Sequence, residues 1–185
     1  MTVRRAVLTT LLLFTASGAM ADMPPPEPAG YRTADYRAPV PATVNGRPAL
    51  TTEQAAALWR QGGAVFIDTL PQPPRPQGLP EDTVWHPRPR NDIPGSIWLP
   101  DTGYGELPAV IAGYFERNLR EATAGDKDRK LVFYCLASCW MSWNAAKRAA
   151  SLGYARVDWY ADGTDGWAVR DLPLERREPV PRPGE

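Results

Sequence analysis

The stretch Leu131 to Ser142 reads L-V-F-Y-C-L-A-S-C-W-M-S, and it holds both cysteines of the chain. Leu131 to Tyr134 is a continuous apolar run, as expected of a strand buried on both faces. The segment Asn144 to Leu152 supplies helix formers and ends at Gly153, a glycine suited to a helix stop. Cys135 and Cys139 therefore sit in a strand-to-helix turn. Such a turn points backbone N–H groups inward, and the helix end adds partial positive charge, so a thiolate or persulfide is stabilised there.

Working outward, Thr51 and Gln54 have capping-box spacing ahead of Ala55 to Trp59, and Gly62-Gly63 stops that helix. A strand at Ala64 to Ile67 follows, with Asp68 at its carboxyl end, the edge where parallel sheets collect functional side chains. Pro71 to Pro89 is dense in proline and reads as a long irregular loop. Ile97 to Leu99 is a short strand after the turn I-P-G-S. From Leu107, the apolar residues Val110, Ile111, Tyr114, Phe115 and Leu119 recur at helical spacing. Arg156 to Tyr160 is the last strand. Strands alternating with helices predict a single α/β domain, mainly a parallel sheet with helices on both faces.

At the N-terminus, M-T-V-R-R precedes an apolar run from Ala6 to Ala16 that is short for a membrane span and is followed by Ala19-Met20-Ala21. That pattern predicts a signal peptide over residues 1–21, cleaved after Ala21, with a periplasmic product and no membrane attachment after cleavage. Losing Arg4 and Arg5 from the 21 basic residues leaves 19 against 21 acidic, a net of about −2. Neither nucleic acid nor an anionic lipid surface is an expected partner. Residues 22–50 form a proline-rich extension. Its first part, Asp22 to Gly30, is expected to be an extended tether. Tyr31 to Pro48 carries aromatic and apolar residues suited to lying along the domain surface.

These residues together resemble a rhodanese-like domain, placed over 51–178 with a tail at 179–185. The resemblance rests on Phe66-Ile67-Asp68, Ile93-Pro94-Gly95-Ser96, Val132-Phe133-Tyr134-Cys135, and the ending Gly153-Tyr154, Val157, Asp162-Gly163, Gly166-Trp167, Leu172-Pro173. It implies a sulfurtransferase-type scaffold with Cys135 as the active cysteine. Two departures bear on chemistry. Trp140 stands where the family usually has an arginine at the end of the active loop, with Cys139 one position earlier, and Asp92 replaces the histidine of G-H-I-P-G. Loss of the arginine removes a bidentate anion ligand, so efficient use of thiosulfate is not expected. More narrowly, C-L-A-S-C-W-M-S-W-N-A-A-K-R-A resembles the exported proteins named for PQQ-dependent catabolism and a CXXCW motif. That implies an accessory role beside PQQ-dependent alcohol oxidation, with a periplasmic oxidoreductase or a sulfur or electron donor protein as partner. No cofactor is expected in this chain itself.

Four residues at helical rise separate the cysteine Cα atoms by about 6 Å, and four extended residues by about 13 Å. A disulfide needs about 4.4–6.8 Å, so it closes only if the loop curls. Three readings follow for the pair. In the first, Cys135 is the nucleophile and Cys139 the resolving partner in thiol–disulfide or persulfide exchange. In the second, the bridge is an inert staple in a partner-binding module. The third is a copper-carrier site, with His86, the sole histidine, as third ligand. Trp140 and Trp143 are candidates to wall a substrate groove, or else pack. Ser138 belongs to the loop. Asp68 orients the loop, holds a proton or caps a turn. Arg88 and Arg90 either replace the missing anion ligand or are solvated. A c-type haem lacks its C-x-x-C-H, and a closed zinc site lacks ligands.

Overall fold

The computed structural model describes residues 23–72, 76–84 and 90–183. The expected signal peptide, His86 and Arg88 lie outside the described residues. Strands β1 (Thr43–Val44) and β2 (Arg47–Pro48) form a hairpin across Asn45 and Gly46, both at positive φ, 50° and 72°. An Asn-Gly pair is the residue choice that a tight hairpin turn favours. Helix α1 (Thr52–Gln61) follows. Its capping box is complete: Gln54 N–H donates to Thr51 Oγ1 (3.2 Å) and Thr51 N–H to Gln54 Oε1 (2.9 Å). Gly62, at φ 71°, ends it.

Next come β3 (Ala64–Asp68), β4 (Arg90–Asp92), β5 (Ile97–Trp98), α2 (Ala109–Ala122), β6 (Lys130–Tyr134), α3 (Trp140–Ser151), β7 (Val157–Trp159), α4 (Gly163–Val169) and β8 (Glu175–Arg177). The main sheet runs β5-β3-β6-β7 and every pairing in it is parallel. β6 is internal, and Leu131 through Tyr134 are buried, which is why the run carries no polar alternation. Leu131 and Phe133 face a cluster with Tyr114, Phe115, Leu119 and Trp143. Val132 and Tyr134 face the opposite one, with Ala55, Ala56 and Trp167. The period-two alternation of a strand thus divides the core into two layers, as an α/β domain requires.

Several boundaries differ from the expectation. Helix α2 starts at Ala109, after Pro108 at its N-cap position, two residues later than the apolar pattern. Helix α3 starts four residues earlier than expected, at Trp140. Its N-cap is Cys139, which makes no side-chain capping bond, so the usual start signal is missing. An antiparallel pair, β4 with β8, lies outside the main sheet, and α4 occupies the stretch after Asp162.

Nor is the extension a free tether from Glu27 onward. Glu27 accepts the Thr43 hydroxyl and the Asn45 N–H at 2.5 Å each, and the Gly46 N–H at 3.1 Å. Arg32 and Asn144 exchange two bonds of 2.9 and 2.8 Å. The segment to Pro48 lies on the α3 side of the domain, with Tyr36, Ala38 and Val40 packed on that core layer. Among the described residues no helix is long and apolar enough to cross a membrane.

Candidate functional site

The turn after β6 curls. Ser138 takes φ 52°, and the Cα atoms of Cys135 and Cys139 are 6.2 Å apart, with the sulfurs at disulfide distance. Closure follows from the curled path. Cys139 occupies the N-cap of α3, so the helix N-terminus faces the bridged pair directly. Both residues are buried, at 0% and 2% exposure, among Met141, Leu136, Leu70 and Tyr36. Ser138 is the exposed member of the loop.

Below the loop lies a polar floor. The Cys135 carbonyl accepts from Thr164 N–H (3.0 Å), Thr164 Oγ1 (3.4 Å) and Arg90 Nη2 (3.3 Å). Ala137 N–H donates to Asp165 Oδ2 at 3.0 Å. Gly163 sits at φ 53°, and a Cβ there would collide with the Cys135 carbonyl, so glycine is required by both space and conformation.

Asp68 is fully buried. One carboxylate oxygen caps Leu70 N–H (2.8 Å) and the other accepts from Arg90 Nε at 2.7 Å. Arg90 is not solvated: its side chain is 11% exposed, with Asp92 Oδ1 also 3.1 Å from Nε. Burial pulls the guanidinium down, but Asp68 and Asp92 outweigh it and leave Arg90 above its ordinary value. Nε carries a single hydrogen, and the short contact to Asp68 commits it. Asp92 therefore has its oxygens buried without a hydrogen bond of its own. Burial and the adjacent Asp68 push the Asp92 carboxyl up to about 9. A neutral Asp92 that donates its proton to the Asp68 carboxylate satisfies both groups. Tyr134 completes the floor, donating its hydroxyl to Ser96 Oγ (2.7 Å). Burial, then Asp68 and Asp92, hold that phenol well above its ordinary value.

Above the loop lies an aromatic roof made by tryptophans of α3 bonded to the extension. Trp140 N–H donates to the Tyr36 carbonyl (3.0 Å) and its indole to the Pro39 carbonyl (3.2 Å). The Trp143 indole reaches the Thr43 carbonyl at 2.9 Å, and the two tryptophan rings meet edge-on at 5.2 Å. Trp140 borders an open cleft of about 440 Å³ lined with Pro25, Pro28, Tyr31 and Arg32. Trp143 is wholly buried and lines no groove.

Cys135, Cys139, Ser138, Trp140 and Asp68 thus converge on one loop, with Trp143 one turn along α3 as packing. Arg90, Asp92, Thr164, Asp165 and Gly163 join them without having been singled out as a group. A departure from the G-H-I-P-G histidine at Asp92, opposite a strand-end Asp68, was the available signal.

A profile of the rhodanese-like domain matches residues 51–170. The chain belongs to the rhodanese-like family. Among solved structures, a thiosulfate sulfurtransferase from Pseudomonas aeruginosa aligns at 19% identity and TM-score 0.47, over 71% of this chain and 21% of that one. The human single-domain sulfurtransferase TSTD1 aligns at 22% identity and TM-score 0.41, over 68% of this chain and 98% of that one. A protein from Bacillus halodurans aligns at 18% and 0.44, over 69% and 75%. No curated protein matches this rhodanese-like chain.

Proposed function

We propose that this rhodanese-like protein passes sulfur or electrons through Cys135 and Cys139. The observation that carries the reading is the juxtaposition of the chain's two cysteines, at disulfide distance, in the loop between the central strand and a helix N-terminus. In the sulfur cycle the Cys135 thiolate attacks the sulfane sulfur of a donor R–S–SH, breaking its S–S bond, releasing the thiolate RS⁻, which takes a proton from water, and forming Cys135–S–SH. The Cys139 thiolate then attacks Cys135 Sγ, forming the disulfide and expelling HS⁻. A dithiol partner returns both cysteines to thiols and is itself oxidised to a disulfide. The donor class is a persulfide rather than thiosulfate, because Trp140 stands where the family usually supplies an arginine to an anionic donor.

Export and place in metabolism belong to the same proposal. The A-x-A leader supports a periplasmic protein, and the C-L-A-S-C-W resemblance supports an accessory role beside PQQ-dependent alcohol oxidation, with an exported oxidoreductase as partner. The near-complete burial of both sulfurs favours a second reading, a partner-binding scaffold stapled by a structural disulfide. The copper reading depends on His86, outside the described residues.

Incubating the reduced protein with glutathione persulfide and measuring sulfide separates the first two. Sulfide release with stoichiometric formation of the disulfide supports exchange. A protein that folds and binds its partner with both cysteines changed to serine belongs to the scaffold reading.

A further inference from the structure

The floor beneath Cys135 contains a group whose role the disulfide itself does not explain. Arg90 comes from β4, a three-residue strand at the rim of the domain, yet its guanidinium is turned inward and divided between two tasks. Nε is held by Asp68 at 2.7 Å. Nη2 reaches the Cys135 carbonyl at 3.3 Å and Thr164 Oγ1 at 3.2 Å. Burying a cation costs several kcal/mol unless it is paired and hydrogen-bonded, and here the pairing is made by carboxylates from two strands. A planar trans peptide sets C=O and N–H on opposite sides. Pinning the Cys135 oxygen to Arg90 and Thr164 therefore turns the Leu136 N–H away from that floor and fixes the peptide next to the sulfur.

We propose that Arg90, gripped by Asp68 and Asp92, is the positioning residue of the loop: it fixes the Cys135–Leu136 peptide and supplies the positive charge that the loop itself lacks at Trp140. For its purpose the inference rests on the sulfur-exchange reading, though its test does not. The charged and titratable groups that face Cys135 are Arg90 and Asp92 on β4, Asp68 on β3, Tyr134 on β6, Asp165 on α4, Tyr36 of the extension and Cys139 itself. With the proton between Asp68 and Asp92 in place, the carboxyl pair carries one negative charge and Arg90 balances it. Replacing Arg90 by a neutral residue leaves that negative charge alone beneath the thiolate.

The test is a titration of the reduced protein by thiolate absorbance at 240 nm, in a Cys139→Ser background with the Cys135→Ser/Cys139→Ser protein subtracted, so that Cys135 alone is read. Arg90→Gln is expected to raise the Cys135 midpoint by about one pH unit, about a tenfold loss of thiolate at a fixed pH below it. If that variant does not fold, Arg90→Lys serves. Lysine keeps the charge and an ion pair, but one nitrogen cannot hold Asp68 and the Cys135 carbonyl together, so a smaller upward shift is expected. A midpoint that stays in place in a folded Arg90 variant overturns the inference. Because no donor or partner takes part, an unmoved midpoint, where the protein with both cysteines releases sulfide, refutes Arg90 alone. A moved midpoint, where the protein with both cysteines releases no sulfide, refutes the sulfur cycle and leaves Arg90 as the positioning residue.

Discussion

The active loop is held from two sides by different physics. Its floor is ionic and far-reaching in sequence: Asp68, Arg90, Asp92 and Thr164 come from two strands and a helix, and Arg90, held by the two carboxyls, meets the Cys135 carbonyl oxygen together with Thr164. Its roof is aromatic and holds no ion pair to the loop, with two indoles and one backbone N–H handed to carbonyls of the extension. A charged floor sets how readily a sulfur anion forms, because electrostatic interactions strengthen where water is excluded. An aromatic roof held by neutral hydrogen bonds sets who can reach the sulfurs, because such contacts open at modest cost. Chemistry and access are therefore separable in this molecule, and each can be broken alone.

The largest effect is expected at the sulfurs themselves. Cys135→Ser should abolish persulfide-dependent sulfide release, and Cys139→Ser should stop the cycle at the Cys135 persulfide, which intact mass reads as one added sulfur atom. Equal rates in either variant and the parent would remove the pair from the reaction.

Next comes the floor, through pH. Asp92 is raised to about 9 when folded and returns to the ordinary carboxyl range near 4 when unfolded. Between those values the folded state holds a proton that the unfolded state has lost, so ν_U − ν_N is negative and stability falls as pH rises. The stabilising contribution is complete below about pH 4 and lost progressively up to about 9. Urea titrations from pH 6 to 8 should show stability falling as pH rises, with this group contributing to the slope. Asp92→Asn, which mimics the neutral acid, should flatten that slope. An unchanged slope would mean that Asp92 is ionised in the folded protein.

The roof should respond more gently and in rate rather than chemistry. Tyr36→Ala removes a ring packed on the disulfide and the hydroxyl that accepts Gly105 N–H at 3.2 Å. Reduction by dithiothreitol should quicken by about three- to tenfold, the scale of one lost aromatic contact, while the Cys135 midpoint stays put. A shifted midpoint with an unchanged reduction rate would reverse the division between roof and floor. The smallest effect is at Glu27. Glu27→Gln keeps the shape but loses charge-assisted bonds to the hairpin, and should cost about 1 kcal/mol in chemical denaturation. No measurable loss would mean that the extension is held by its remaining bonds to α3 and its aromatic packing, without Glu27.

How much of this was legible follows the same division. The parallel sheet could be read because Leu131 to Tyr134 is apolar throughout, and the Thr51–Gln54 spacing marks α1. Bridge geometry gave only a condition, that residues four apart close if the path curls; the curl itself was implied by the rhodanese-like resemblance. The floor could not be assembled from local pattern. Arg90 meets partners 22, 45 and 74 positions away, and β4 and β8 read R-N-D and E-R-R, with no apolar alternation to mark a strand. Helix α3 hid its start because Cys139 gives no side-chain cap. The roof was half visible: aromatic residues marked 31–48 as surface-seeking, while the Asn45-Gly46 pair passed without its hairpin.

The most direct measurement is the reduction potential of the Cys135–Cys139 pair in the purified protein, equilibrated against glutathione buffers and read by alkylation and intact mass. The account predicts a value above about −250 mV, that of an exchangeable pair. A value below about −300 mV would contradict it, since a bridge that resists the glutathione pool to that degree is a structural staple.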